Sequence, residues 1–225
     1  MKIPRHNRAV RFVHWTAALS IFALLFSGFG QMPIYKRYYV DTLAGLSWSS
    51  NYAVTLAIHY YAAIALLFIS AYYAIYLLFS RRWEIIPRRG DFRESLQIFG
   101  ALLGLAKEPE NDKYLAEQRL AFAVTAFSVL MLIITGVAKA VKNLPGYQIS
   151  ADAAFWLAQI HNLFTVILFF SIIVHLLAFL IKDNRPLFLT MFTGTIDADY
   201  VKRRHRLWWE RIRPEEPADA EPEKQ

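Results

Sequence analysis

Four histidines, His14, His59, His161 and His175, lie in apolar stretches long enough to cross a membrane. An ionisable side chain in the bilayer is costly, so each one marks a candidate functional site. His161 and His175 are separated by about 21 Å along a helix and share nearly the same helix face. One helix would thus carry an imidazole toward each side of the membrane. Paired buried imidazoles are what low-spin b-type haem needs, so the pattern predicts a membrane cytochrome with two haems.

Composition agrees with a membrane protein. The sequence of 225 residues is 56% hydrophobic, which exceeds what a soluble domain of this size usually carries. It contains no cysteine, which excludes iron–sulfur clusters held by this chain and covalent haem attachment. The net charge of +7 comes from residues that flank the apolar stretches, which favours lipid head groups over nucleic acid as their partners.

Four membrane spans are predicted, and with them an all-α membrane protein built as a four-transmembrane-helix bundle. Each stretch has the length that a bilayer of about 30 Å requires. A first apolar run of this length is not expected to be a cleaved signal peptide. The predicted spans cover residues 12–35, 52–79, 120–138 and 153–181.

A cytoplasmic amphipathic helix is predicted between the second and third spans. Phe92, Leu96, Phe99 and Leu103 recur there at helical spacing, with polar residues on another face. Residues 1–213 are expected to form one four-helix di-haem cytochrome b domain. The acidic, proline-bearing segment 214–225 is expected to be a disordered tail.

The distribution of basic residues predicts the orientation. Of the 25 Lys and Arg residues, 21 lie before the first span, between the second and third, or after the fourth, and four lie in the other two loops. The positive-inside rule then places both termini and the 81–119 loop in the cytoplasm. We expect a multi-pass protein of a bacterial or archaeal cytoplasmic (inner) membrane.

This orientation pairs the histidines by depth. His59 and His161 lie at nearly equal distances from the cytoplasmic ends of their spans and form the predicted outer pair. His14 and His175 form the inner pair, with a mismatch of roughly 6 Å that helix tilt or an earlier start of the first span could absorb. His6 and His205 lie in basic cytoplasmic segments and are expected to be solvated or lipid-facing.

The histidines have two other interpretations. A zinc or copper site lacks support, because no Asp or Glu lies within the spans to complete it. A haem-free transporter that uses intramembrane histidines as proton relays remains an alternative. A haem spectrum of the membranes distinguishes a transporter from a cytochrome.

The chain resembles the gamma subunit of membrane-bound formate dehydrogenase, a four-helix cytochrome b. The resemblance runs along most of the chain. Its matching residues and segments are His14-Trp15, Ser27-Gly28, His59, Lys113-Tyr114, Gln118, Ile134-Thr135-Gly136-Val137, His161, His175, Gly194, Lys202-Arg203-Arg204-His205 and Trp208-Trp209-Glu210.

The resemblance implies the cofactors, partners and path of the electrons. A catalytic oxidoreductase subunit on the outer side would oxidise the substrate, and an iron–sulfur subunit would pass electrons to this chain. Two haem b groups, ligated by the four span histidines, would carry them to menaquinone or ubiquinone. The resemblance places the quinone near Lys113, Tyr114 and Gln118, whose side chains can donate hydrogen bonds to its carbonyls.

The sequence does not decide which complex this chain belongs to. The haem-ligand pattern is shared with the cytochromes of hydrogenases and of thiosulfate or polysulfide reductases, so these are alternatives to formate dehydrogenase. In every case this chain would carry out electron transfer and quinone reduction, and the oxidation of substrate would belong to another subunit.

Overall fold

The computed structural model describes residues 1–213, so the predicted acidic tail at 214–225 lies outside the described residues. Nine helices and two short strands are numbered here in chain order within those residues. They are β1 Lys2–Pro4, α1 Arg8–Gly30, α2 Pro33–Arg37, α3 Tyr52–Ser80, α4 Asp91–Leu102, α5 Ala116–Val141, α6 Ala151–Leu177, α7 Arg185–Thr193, β2 Thr195–Asp197, α8 Ala198–Arg204 and α9 Arg206–Ile212. Short 3₁₀ turns occupy several of the connections.

Four helices, α1, α3, α5 and α6, are long and apolar enough to cross a membrane, which confirms the predicted bundle. They contain 23 to 29 residues each. Side-chain caps fix three of their starts: Asn7 accepts from Val10 N at 2.9 Å, Asn51 from Ala53 N at 3.0 Å, and Ser150 from Ala153 N at 3.2 Å.

The first span differs from its predicted bounds. Because Asn7 caps it, α1 begins at Arg8, four residues before the apolar run. It ends at Gly30, and Pro33 then opens the separate short helix α2. Tyr35, which was predicted inside the span, is buried in α2 with its hydroxyl 2.5 Å from Ser49 Oγ. The earlier start brings His14 deeper into the helix than the apolar run alone indicates.

The bundle is built from two helix pairs. α1 packs along α3 and α5 packs along α6, whereas contacts between the two pairs are sparse. The centre of the bundle is filled by a small apolar core. Its buried members are Val13, Ile21, Leu66, Ile69 and Leu168. None of the four span histidines belongs to this core.

The amphipathic helix predicted in the second loop is α4, and its apolar face is exposed. Phe92, Leu96 and Phe99 are 72%, 58% and 52% exposed. α4 instead packs on α5 through its other face, where Asp91 and Arg119 form a buried ion pair at 2.6 Å. The apolar face is left outward, as expected for a helix whose side chains enter the membrane interface.

A terminal cap closes one end of the bundle. We define it as residues 1–7 together with residues 182–213. β1 pairs antiparallel with β2, which places the N-terminus beside the segment that follows α6. Its apolar core contains Leu187, Ile196, Tyr200, Val201 and Trp208. We call this the cap end of the bundle, and the opposite end the far end.

Candidate functional site

The four span histidines lie on three helices and group toward the two ends of the bundle. His14 is on α1 and His59 is on α3, whereas His161 and His175 share α6. α1 starts and α6 finishes at the cap end, so His14 and His175 lie toward that end. His59 and His161 lie toward the far end, where α3 and α6 begin. Each end therefore has two candidate ligands.

At the far end, a serine fixes the protonation of His59. Ser27 Oγ lies 3.0 Å from His59 Nδ1 and 2.6 Å from the carbonyl oxygen of Ala23. A carbonyl only accepts, so the single hydroxyl hydrogen of Ser27 is donated to Ala23. Nδ1–H of His59 must then donate to Ser27 Oγ. The free lone pair of the neutral ring is therefore on Nε2, the nitrogen available to a metal.

The same arrangement recurs around His161. Thr135 Oγ1 lies 2.8 Å from His161 Nδ1 and 2.7 Å from the carbonyl oxygen of Met131. The threonine hydroxyl donates to Met131, so it accepts from Nδ1–H of His161. Nε2 of His161 is again the nitrogen with a free lone pair. Both far-end imidazoles are thus held in the tautomer whose Nε2 could bind a metal ion.

A glycine follows each of these hydroxyl residues and leaves space beside the ring. A Cβ at Gly28 would lie 3.4 Å from His59 Cε1, and one at Gly136 would lie 3.6 Å from His161 Cε1. These are ordinary contact distances, so a methyl group would fill the space without a clash. Small residues of this kind allow helices and bound groups to approach closely. In each Ser-Gly or Thr-Gly pair, the hydroxyl holds the imidazole ring and the glycine leaves space beside it.

At the cap end, the rings of His14 and His175 are close neighbours. Their ring centroids lie 6.3 Å apart and their planes are inclined by 53°. If one metal ion bound a nitrogen of each ring, two metal–nitrogen bonds of about 2 Å would lie between the rings. Adding the distance from each nitrogen to the centre of its own ring gives roughly 6 Å between the two ring centroids. The spacing therefore leaves room for one metal ion between the rings. Nδ1 of His14 is buried and has no hydrogen-bond partner within residues 1–213.

The donor set at both ends fits haem iron. No group of three or more His, Cys, Asp or Glu side chains able to hold a metal is found in the described part of the chain. Two imidazoles alone would leave most of a metal's coordination positions unfilled. Haem would bring its own nitrogen ligands to the iron, so two histidines from the protein would suffice to hold it. Haem thus requires only the residues that each end of the bundle provides.

Lys113 and Tyr114, two of the predicted quinone residues, line a small pocket at the cap end. The pocket lies among the start of α1, the end of α3 and the loop before α5. Lys113 Nζ forms an ion pair with Glu84 Oε2 at 2.8 Å. Burial raises the pKa of Tyr114, which therefore keeps its phenolic hydrogen at neutral pH. The lining includes Arg5, His6, Val10, Tyr73, Tyr76, Leu77, Arg82, Glu84, Ile85, Lys113 and Tyr114.

Gln118, the third predicted quinone residue, does not line this pocket. Its Oε1 accepts a hydrogen bond from the backbone N–H of Leu115 at 3.3 Å. It thereby satisfies a backbone donor at the start of α5, a capping role. The structure brings Lys113 and Tyr114 to the pocket wall and leaves Gln118 outside its lining.

Arg5 and His6 in the N-terminal segment line the pocket, although the sequence did not single them out as site residues. Arg5 is 5% exposed, and its Nη2 donates to the carbonyl oxygen of Lys113 at 2.6 Å. Its Nη1 is buried without a hydrogen-bond partner among the described residues. Burial lowers the pKa of His6 to about 3, and the charges of Arg5 and Lys113 act in the same direction. His6 is therefore neutral at physiological pH and half-buried in the pocket wall, whereas it was expected to be solvated or lipid-facing.

The prediction that His205 is solvated or lipid-facing is wrong. Its side chain is fully buried in the cap, and Nδ1–H donates to the carbonyl oxygen of Asp112 at 2.6 Å. Burial and the nearby charge of Arg5 lower its pKa to about 4. The basic sequence around it indicated a solvated segment, but the cap folds over the imidazole. His205 joins α8 and α9 to the loop before α5.

Comparison with known proteins gives one family. The family model described as prokaryotic cytochrome b561 matches residues 5–194, which is most of the chain and includes all four span histidines. A comparison with curated proteins gave no match.

Proposed function

Since the chain belongs to the prokaryotic cytochrome b561 family, and is thus a membrane b-type cytochrome of electron transfer, we propose that it carries electrons to quinone through two haems. The observation that carries the two-haem proposal is the recurrence of a histidine pair at each end of one bundle. Haem b, when bound, supplies one-electron redox chemistry at each position. The rest of the work belongs to the side chains that hold and surround it.

The four span histidines would hold the haem irons as axial ligands. His59 and His161 would serve one haem, and their Nδ1–H donors to Ser27 and Thr135 fix the ring orientation. His14 and His175 would serve the other, supported by the spacing of their rings. Residues 1–213 would then act as one di-haem domain.

We further propose that the cap end faces the cytoplasm. Of the 25 Lys and Arg residues, 21 lie at the N-terminus up to the first turn of α1, between α3 and the first turn of α5, or after α6. By the positive-inside rule, this bias favours a cytoplasmic location for these segments. The far-end pair would then receive electrons from outside. The cap-end pair would lie beside the quinone, which would take its protons from the cytoplasm.

The proposed partners are an iron–sulfur subunit and a catalytic oxidoreductase subunit on the outer side. The chain has no cysteine, so any iron–sulfur cluster in the electron path belongs to another subunit. The Lys113-Tyr114 segment and the basic C-terminal stretch favour a formate dehydrogenase as the complex. A hydrogenase or a thiosulfate or polysulfide reductase is the second candidate, since the haem-ligand pattern serves these as well.

The quinone is proposed to bind near Lys113, Tyr114 and Gln118. Lys113 and Tyr114 offer donors at the pocket wall, and Val10 in the same wall lies one helical turn before His14. The pocket has a volume of about 20 Å³, which is enough for a water-sized group. A quinone ring would therefore approach from the membrane side and present one carbonyl to these donors.

Haem content and ligand variants test the proposal. A pyridine haemochrome assay on the purified full chain should give two b haems. His59→Ala and His161→Ala should remove one spectral component, and His14→Ala and His175→Ala should remove the other. His6→Gln serves as the control that keeps both. Finding a single haem, or loss of one shared component from His14→Ala and His59→Ala, contradicts the assignment.

The partner complex is tested by co-purification. Mild solubilisation of native membranes, followed by purification through this chain, should recover an iron–sulfur subunit and a catalytic subunit. Formate-driven reduction of haem in the recovered complex would support formate dehydrogenase. Reduction by hydrogen but not by formate would instead support a hydrogenase.

A further inference from the structure

One ion pair connects the pocket at the cap end with the surrounding water. The Lys113 side chain is 10% exposed and the Glu84 side chain is 36% exposed, and their charged atoms lie 2.8 Å apart. Glu84 belongs to the 3₁₀ turn Trp83–Ile85, which follows the end of α3. Both side chains also line the pocket. The pair thus has one buried member and one that reaches solvent.

Other ion pairs at this end, such as Arg204–Glu108 (11% and 41% exposed) and Arg211–Asp112 (52% and 9% exposed), also join a shielded side chain to an exposed one, but none of their residues lines the pocket. Arg119 and Asp91 are 3% and 2% exposed, so neither reaches water. Arg206 and Glu110 are 62% and 56% exposed, so neither reaches the interior. None of these four residues is among those that line the pocket. Within residues 1–213, the Glu84–Lys113 pair joins the pocket wall to a solvent-exposed carboxylate.

We propose that Glu84 and Lys113 form the route by which protons enter the quinone site, an inference that rests on the proposed quinone-reducing function. Reduction of one quinone to hydroquinone takes two electrons, supplied by the cytochrome, and two protons. For each proton, an N–H bond of the Lys113 ammonium breaks and an O–H bond forms on a quinone oxygen. Glu84 takes up a proton from cytoplasmic water and returns it to the neutral Lys113 amine.

Several charged groups surround Lys113 in the pocket. Arg5 and Arg82 line the same pocket wall. Arg5 itself cannot serve, because a guanidinium keeps its proton in proteins. The other titratable or charged groups facing Lys113 are His6, Tyr114, Asp112 and Glu84. Glu84 is the one that combines a carboxylate, an ion pair with Nζ and contact with water.

The size of the pocket also favours proton transfer. Its volume of about 20 Å³ matches a water-sized group. Its wall reaches Val10, one turn of α1 before His14, so the route ends close to the cap-end histidine pair. Protons and electrons would therefore meet at the same end of the bundle.

The test uses native membranes that contain the full chain and menadiol as the quinol probe. Menadiol oxidation reduces haem, which is followed by absorbance, and its protons leave by the same route by microscopic reversibility. Glu84→Gln should slow haem reduction roughly 10²-fold at saturating menadiol. Added acetate, a small proton carrier, should restore part of the rate. Glu110→Gln, the same change in an exposed ion pair, should leave the rate at the wild-type value.

Lys113→Arg separates proton transfer from structure. Arginine keeps the charge and can pair with Glu84, but it does not release a proton. The variant should bind haem normally and still lose the rate. Wild-type rates in Glu84→Gln or in Lys113→Arg, with haem spectra intact, would overturn this inference and leave the proposed function standing. Failure of menadiol to reduce haem in the wild type would overturn both.

Discussion

Thr135 and His161 are joined by a hydrogen bond of 2.8 Å between the threonine hydroxyl and Nδ1 of the imidazole. The two residues lie on neighbouring helices, α5 and α6. Ser27 holds His59 in the same way between α1 and α3. The two helix pairs therefore share one arrangement. In each pair, a hydroxyl near the end of one helix fixes the tautomer of a histidine on the helix that packs against it.

Thr135→Val removes this acceptor while it keeps the side-chain shape. A ring whose Nδ1–H is hydrogen-bonded is a stronger electron donor to a metal and stabilises the oxidised form. Losing one bond of about 1 kcal/mol should raise the potential of one haem by on the order of 40 mV. Redox titration monitored by optical absorbance measures the shift.

Thr125→Val provides the matched control for that experiment. Thr125 also joins α5 to α6, through a hydroxyl contact of 2.8 Å with Ser171, but it has no histidine partner in the structure. Its replacement should leave both potentials unchanged. Equal shifts in the two variants would show that the effect comes from helix packing and not from the imidazole.

Asp91→Asn should detach α4 from the bundle. Arg119 Nε donates to Asp91 Oδ2 at 2.8 Å and Nη2 donates to Oδ1 at 2.6 Å, with both side chains buried. Burial alone would raise the pKa of Asp91, but the hydrogen bonds from Arg119 and from the Arg88 N–H lower it. Loss of the carboxylate removes the buried partner of Arg119 and leaves it only the longer, 3.4 Å ion pair with the partly exposed Glu94. Breaking a buried pair in this way costs about 3–5 kcal/mol. Hydrogen exchange of α4 amides measures the loss of protection.

The exposed pair of Arg206 and Glu210 is the control for Asp91→Asn. Glu210→Gln breaks an ion pair at 3.1 Å whose members are 62% and 45% exposed. Such a pair contributes about 0–1 kcal/mol, so exchange should change little. If the two substitutions have the same effect on α4, the buried pair does not anchor that helix.

Gly194→Ala should disrupt the joint between α7 and the N-terminal segment. Gly194 has φ +80°, and a Cβ there would lie 2.6 Å from the carbonyl oxygen of His6. Its own carbonyl accepts from the N–H groups of Arg5 and His6 at 2.8 and 3.1 Å. The substitution adds a clash to the strain of positive φ, which alone costs about 1 kcal/mol. Hydrogen exchange of the Arg5 and His6 amides should rise.

Gly45→Ala separates strain from clash. Gly45 has φ +82°, and nothing lies within 4 Å of its ideal Cβ. Thermal stability should therefore fall by the strain alone and remain above that of Gly194→Ala. If Gly194→Ala proved the more stable of the two variants, the clash with the carbonyl oxygen of His6 would have no energetic cost.

The cap should loosen as the pH falls from about 6.5 to about 4. In the unfolded chain His205 takes up a proton near its ordinary pKa of 6.5, whereas the buried ring does so only near about 4. Between these values the unfolded cap binds more protons, so stability decreases with falling pH. The stabilisation by the neutral buried ring is fully present above pH 6.5. Exchange rates of β1 and β2 amides across this pH range measure the effect.

His205→Asn tests the origin of that pH dependence. An asparagine amide can donate to the carbonyl of Asp112 but does not titrate. His6, whose pKa is also lowered, contributes equally in both proteins. The variant should show a smaller loss of protection on acidification than the wild type. An unchanged pH dependence would assign the effect to other groups in the cap.

The sequence by itself determined the membrane spans and the positions of their histidines. Span length and hydropathy are local properties, because the bilayer imposes the same length on every helix that crosses it. The same reasoning predicted α4 from the spacing of Phe92, Leu96 and Phe99, although not the buried ion pair of Asp91 with Arg119 that joins it to α5. α1 starts earlier than its apolar run because Asn7 supplies a cap that hydropathy does not register.

Only the tertiary structure decided which side chains meet. The contacts of Ser27 with His59 and of Thr135 with His161 join residues 32 and 26 positions apart. Lys113 and Glu84 are 29 positions apart, and His205 reaches Asp112 across 93. Such contacts depend on how helices rotate and pack against one another, which no local pattern specifies. The imidazole tautomers, the burial of His205 and the lining of the cap-end pocket therefore became visible only in the folded chain.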